Sequence, residues 1–116
     1  MDKPKVLVIE DDLDSRELLA ELLSDEFDIQ TAADGEAGLS RFREGAPDVV
    51  LTDESLPGMP GTAVAREVKA LSPHARVVLV SGFGEVDDSD ACDAVLKKPL
   101  EPDRLSALLH ALTDGA

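Results

Sequence analysis

The stretch Val49-Val50-Leu51-Thr52-Asp53-Glu54-Ser55-Leu56-Pro57-Gly58-Met59-Pro60-Gly61 decides the fold. An apolar run ends at a carboxylate and passes at once into a turn rich in proline and glycine. Continuous apolar strands are covered on both faces, as in a parallel sheet flanked by helices. A second such run, Val6-Leu7-Val8-Ile9, ends in Glu10-Asp11-Asp12. A parallel sheet brings both ends to one edge, where crowded carboxylates must protonate or share a cation. The two strands together point to a metal-assisted acidic site with Asp53 as its reactive member.

Strand and helix signals alternate through the rest of the chain. Asp14 and Glu17 have capping-box spacing ahead of Leu18, Leu19, Leu22 and Leu23, which recur at helix spacing. Residues 27–31 read as a second strand, more exposed, because Phe27, Ile29 and Thr31 alternate with polar residues. Asp34-Gly35 precedes a short helix marked by Ala37, Leu39 and Phe42 that ends near Gly45 and Pro47. Beyond the central turn, Val64, Val68 and Leu71 give a helix face stopped by Ser72-Pro73. Residues 77–80 form a fourth strand, residues 94–96 a brief fifth, and Leu105, Leu108, Leu109 and Leu112 stripe a last helix.

This alternation predicts an α/β fold: a doubly wound, five-stranded parallel sheet in the order 2-1-3-4-5 with right-handed crossovers. The first, third and fourth strands belong at its centre. Residues 82–93 hold two glycines, four aspartates and little apolar material, so the fourth helix is expected to be shortened. The 116 residues form a single domain, 1–116, with no internal repeat or linker.

Composition narrows the function. Lys and Arg number 11 against 25 Asp and Glu, a formal charge of −14. Nucleic acid and anionic membrane surfaces are therefore not expected as partners, because both require basic side chains. Cys92 is the only cysteine, which excludes an internal disulfide and fits a reducing compartment. No apolar stretch has the length of a membrane span and the N-terminus does not resemble a secretory signal, so a cytoplasmic location is expected. With no Trp or Tyr and three Phe, the core has to be aliphatic.

Ligands of open parallel sheets bind at the carboxyl ends of the strands, where strand order reverses. Glu10, Asp11 and Asp53 converge there in the order given above. Hard oxygen ligands suit Mg²⁺, which commonly bridges carboxylates and a phosphate. Ser81 follows the fourth strand and Lys98 the fifth, so a hydroxyl and an ammonium reach the same edge. A phosphoryl group on Asp53 would meet charge compensation from Lys98 and a hydrogen bond from Ser81.

On these residues the chain resembles the receiver domain of two-component response regulators, which has a flavodoxin-like (CheY-like) fold. The resemblance spans about residues 5–112. It rests on the acid pair Glu10 and Asp11, on Asp53 through Gly61, on Ser81 with the small Gly82, and on Lys98-Pro99. It implies that Asp11, Asp53 and the backbone carbonyl of Ser55 bind Mg²⁺ directly and that Glu10 acts through water. It also implies that a histidine kinase or phosphotransfer protein donates phosphoryl to Asp53, which Lys98 and Ser81 then hold. Ser81 would move inward and carry the signal to a downstream protein target. Such a protein is a switch and not an enzyme in the ordinary sense, although it can catalyse its own phosphorylation and dephosphorylation.

Two positions depart from the family pattern. Val95 stands three residues before Lys98, where an aromatic switch residue is usual, and the connector between Ser81 and Lys98 is several residues short. Output through the fourth helix and the elements after it is thereby put in question. The Ser81-Gly82-Phe83 run has some likeness to hybrid-kinase receivers, so the chain reads as a stand-alone regulator or a domain cut from a hybrid kinase.

Two other functions compete. A phosphatase of the haloacid-dehalogenase type would place Asp-x-Asp after the first strand, whereas here Asp53-Glu54-Ser55 follows the third. An interaction module could use the same fold without phosphorylation. Asp12, Asp14, Asp87, Asp88, Asp90 and Asp93 read as solvated loop charges, and His74 and His110, with no ligand partner at useful spacing, as plain surface histidines. Glu54 and Ser55, flanking the site, read as residues that tune phosphoryl lifetime by guiding or obstructing water.

Overall fold

The computed structural model describes residues 3–82 and 91–114. The expected short fourth helix falls largely on residues 83–90 and lies outside the described residues, as do Asp87, Asp88 and Asp90. The elements follow in the order β1 (Lys5–Ile9), α1 (Leu13–Leu23), β2 (Asp28–Ala32), α2 (Gly35–Gly45), β3 (Val49–Asp53), α3 (Gly61–Leu71), β4 (Arg76–Ser81), β5 (Ala94–Lys97) and α4 (Pro102–Asp114). All strand pairs are parallel and the sheet order is β2-β1-β3-β4-β5, as the alternation predicts.

The continuous apolar runs are explained by a core on each face of the sheet. Leu7, Ile9, Val50 and Val77 pack against Leu39, Phe42, Val64 and Val68 of α2 and α3. Their neighbours in sequence, Val6, Val8, Val49, Leu51, Val78 and Val80, pack against Leu23, Leu105 and Leu109 on the other face. Successive strand residues point to opposite faces, so the central strands are apolar on both sides until their carboxyl ends, where Thr52, Asp53 and Ser81 are buried polar residues. Each fully buried aliphatic side chain contributes about 1.5–3 kcal/mol. β2, at the edge, alternates exposed and half-buried positions until Ala32.

Several local expectations need correction. The α1 cap is Asp12, whose side chain accepts from the Ser15 N–H at 2.9 Å, not Asp14 with Glu17. The helix starts two residues earlier than that spacing implied, and Asp12 is a cap instead of a loose loop charge. β2 begins at Asp28, one residue after the buried Phe27. Leu71 is 48 % exposed and adds nothing to the buried face of α3. Of the α1 leucines only Leu23 is fully buried, while Leu18 and Leu22 stand largely exposed along a cleft toward α4.

Two turns matter for the site. Gly58 adopts φ 79°, which lets the chain after β3 reverse direction without a Cβ penalty. The Lys98–Pro99 peptide is cis. Among the described residues no helix is long and apolar enough to cross a membrane.

Candidate functional site

The register brings the predicted acids together. Ile9 pairs with Thr52, so Glu10 and Asp53 leave adjacent parallel strands at the same edge. Glu10, Asp11 and Asp53 each offer a carboxylate oxygen, and these oxygens all lie within 4.8 Å of one another. Asp53 is 3 % and Glu10 8 % exposed, while Asp11 reaches solvent.

Glu10 is held by backbone and side-chain contacts. The Glu10 N–H donates to the Ala32 carbonyl at 3.0 Å, and Glu10 Oε1 accepts from the Asp12 N–H at 3.1 Å. Arg16, one turn into α1, donates from Nη1 to the Glu10 carbonyl at 2.9 Å. Burial pushes the Glu10 carboxyl above its usual range, and the Asp53 and Asp11 charges push the same way. The Asp12 N–H and the Lys98 charge oppose this. A cluster that raises an acid's pKa by burial and like charge favours either a proton or a cation.

Lys98 Nζ lies 3.1 Å from Asp53 Oδ2. The other oxygen, Oδ1, is buried with no hydrogen-bond partner among the described residues. A buried carboxylate oxygen without a donor is costly unless a ligand meets it. That orphaned atom and the all-oxygen donor set fit a hard divalent cation.

Ser81 is fully buried at the end of β4, directly after Val80, the register partner of Asp53. Its carbonyl accepts from the Lys98 N–H at 3.0 Å, so the ends of β4 and β5 are tied where Lys98 turns toward Asp53. Ser55 sits exposed on the loop after β3. The site opens on one side into a cleft of about 920 Å³ between α1 and α4, with apolar walls that include Leu18, Leu19, Leu22 and Leu105.

Three residues outside the expected set prove structured. Glu54 Oε1 accepts from the Thr62 N–H at 2.8 Å. Its signal lay in Pro60, which has no side-chain donor or acceptor with which to cap α3. Asp93 is not a solvated charge: it accepts from the Val77 N–H at 2.7 Å and pairs with Lys69 at 2.8 Å and Arg76 at 3.3 Å. His110 is more than a plain surface histidine. Its Nε2 lies 2.8 Å from Glu26 Oε1, and its ring packs on Phe27 with centroids 4.6 Å apart. Neither Asp93 nor His110 touches the acidic site; both tie elements of the scaffold together.

Comparison with known proteins agrees with the geometry. Residues 6–110 match the family described as "Response regulator receiver domain". The DNA-binding response regulator MtrA of Mycolicibacterium paratuberculosis is 36 % identical over 115 residues, covering 94 % of this chain and 51 % of MtrA. The chain thus spans about half the length of the curated relatives it matches. A response regulator receiver domain protein from Clostridium thermocellum superposes with a TM-score of 0.92 at 29 % identity, covering 97 % of this chain and 95 % of the other. TrrA of Thermotoga maritima, solved in complex with Mg²⁺-BeF, gives a TM-score of 0.87 at 33 % identity, covering 94 % and 98 %. Sheet order, acidic edge and sequence agree: the chain belongs to the response regulator receiver domain family.

Proposed function

We propose that Asp53 is the phosphoacceptor of this receiver domain, with phosphorylation depending on Mg²⁺ and switching protein–protein contacts. The observation that carries the reading is the state of Asp53. It is almost fully buried, with one oxygen on Lys98 and the other, beside Glu10 and Asp11, without a donor among the described residues.

In this reading Asp11, Asp53 and the Ser55 carbonyl hold Mg²⁺ and Glu10 acts through water. The cation supplies charge neutralisation for the incoming phosphoryl group. That TrrA was solved with Mg²⁺ and a BeF group supports this choice of ion. Transfer from a histidine kinase or phosphotransfer protein breaks the donor's P–N bond as the bond from an Asp53 oxygen to phosphorus forms. Lys98 then stays close to the new phosphoryl oxygens, and Ser81 donates to one of them. Turnover of the aspartyl phosphate resets the switch, and no further substrate is transformed.

The readout is a downstream protein. MtrA is named a DNA-binding regulator, but the charge of −14 argues that this segment does not itself make such a contact.

The test is intact mass after incubation with Mg²⁺ and acetyl phosphate, run beside Asp53→Asn. One phosphoryl adduct on the wild type and none on Asp53→Asn is the expected result. No adduct with acetyl phosphate or with a panel of histidine kinases would leave the fold as an interaction module that works without phosphorylation.

A further inference from the structure

We propose that Glu54 is a positioning residue: its carboxylate caps α3 and thereby fixes the loop that presents the Ser55 carbonyl to the cation. The inference rests on the phosphoacceptor reading above and adds a residue to it.

Pro60 is the N-cap of α3 and makes no side-chain hydrogen bond to the helix. A helix leaves its first N–H groups without intrahelical partners, and a carboxylate there gains both hydrogen bonds and the favourable end of the helix dipole. Glu54, eight residues before Thr62, supplies that carboxylate from the other side of the turn. Oε1 accepts from the Thr62 N–H at 2.8 Å, and Oε2 lies 3.4 Å from Thr62 Oγ1.

The backbone of Glu54 closes the same unit. Its N–H donates to the Val80 carbonyl at 2.9 Å, and its carbonyl accepts from Leu56 N–H at 3.1 Å and Gly61 N–H at 3.0 Å. The loop of residues 55–60 therefore leaves Glu54 and returns to it. Gly61 packs so close to the Asp53 carbonyl that a Cβ there would overlap it. Asp53, Glu54 and the first turn of α3 form one block, and Ser55 is carried by the loop hung on that block. Loss of the carboxylate frees Thr62 and loosens the return of the loop, while Asp53 and Glu10 stay on their strands.

A charge effect must be separated from a positional one, because removing any acid near the site weakens cation binding. Glu54→Gln removes the charge but keeps an oxygen that accepts from Thr62. Glu54→Ala removes both. Mg²⁺ affinity measured by calorimetry on the metal-free protein, well below its unfolding temperature, reads the site and not the fold. The expected result is an affinity for Glu54→Gln within about twofold of wild type, and a loss of about fivefold for Glu54→Ala. Equal losses in the two variants would assign Glu54 a charge role and overturn the proposal. Unchanged affinity in Glu54→Ala with a lowered urea midpoint would make it a helix cap only, and overturn it too. Wild-type protein that binds no Mg²⁺ would remove the cation reading itself, and this inference with it.

Discussion

Lys98 Nζ contacts Asp53 Oδ2 at 3.1 Å, and the two residues differ sharply in exposure: the lysine side chain is 42 % exposed and the aspartate 3 %. The aspartate bears most of the desolvation, while the ammonium keeps much of its hydration. A phosphoryl group on Asp53 would move the negative charge outward, toward the wetter partner. The pair is thus suited to follow a charge that grows and shifts during transfer, and it contributes little to stability as a surface ion pair would.

Lys98→Ala is expected to leave the buried carboxylate without its nearest cation. Discounted for the exposure of the lysine, the metal-free fold should lose about 1 kcal/mol, read from the urea midpoint. Adduct formation with acetyl phosphate should fall by more than this loss explains. A variant that gains the adduct at the wild-type rate would separate Lys98 from the chemistry.

Mg²⁺ should stabilise the wild type by mass action, by about 2.7 kcal/mol when its concentration is 100 times the dissociation constant. Asp11→Asn removes one member of the carboxylate cluster. It should stabilise the metal-free protein by about 1 kcal/mol and abolish the response to Mg²⁺. Thermal melts with and without the ion read both effects. If Mg²⁺ leaves the wild type unmoved while Asp11→Asn still stabilises it, the repulsion is right and the cation site wrong.

The strands were legible because burial on both faces leaves little room for polar positions: residues 6–9, 49–51 and 77–80 are apolar for that reason. The acids at their ends were legible with them, since a parallel sheet forces strand ends to one edge. Less was visible where a polar group serves a neighbour distant in sequence. Asp93 anchors the Val77 N–H across 16 residues, and Glu26 meets His110 across 84. Neither spacing has a periodicity to betray it. The α1 cap was misplaced because Asp12 and Asp14 both precede an apolar stripe, and only the path of the chain out of β1 selects Asp12. Leu18 and Leu22 share the stripe with Leu23, yet they flank a cleft that α4 does not fill.

Gly61→Ala should be among the most damaging small substitutions in the chain. Its Cβ would overlap the Asp53 carbonyl oxygen, and the Leu79 side chain closes the same space. The obstacle is mostly backbone, so relief requires α3 to shift away from β3. A loss of about 2 kcal/mol in urea unfolding is expected, together with weaker Mg²⁺ binding because the loop start moves with the helix. At Gly38 the nearest atoms to an added Cβ belong to the Ile9 side chain, itself buried in the core, so Gly38→Ala should also destabilise by overpacking, with side chain and not backbone as the obstacle.

Asp93 gives the clearest pH dependence away from the acidic edge. Burial acts to raise its carboxyl, but the hydrogen bonds from Lys69 and the Val77 N–H, the Lys69 charge and the Arg76 contact outweigh it, so its pKa falls below the ordinary 3.8. A carboxyl with a depressed pKa in the folded state stabilises the protein above its unfolded pKa. That contribution is lost as pH falls from about 4 through the folded value. Asp93→Asn retains an acceptor for Val77 but gives up the two cations. It should be less stable than wild type at pH 7, and the gap should narrow steadily as the medium is acidified below pH ~4. Urea midpoints of both proteins from neutral pH down to strong acid measure that gap directly. A gap that stays constant over the range would mean that Asp93 acts through its geometry alone and that its charge contributes nothing.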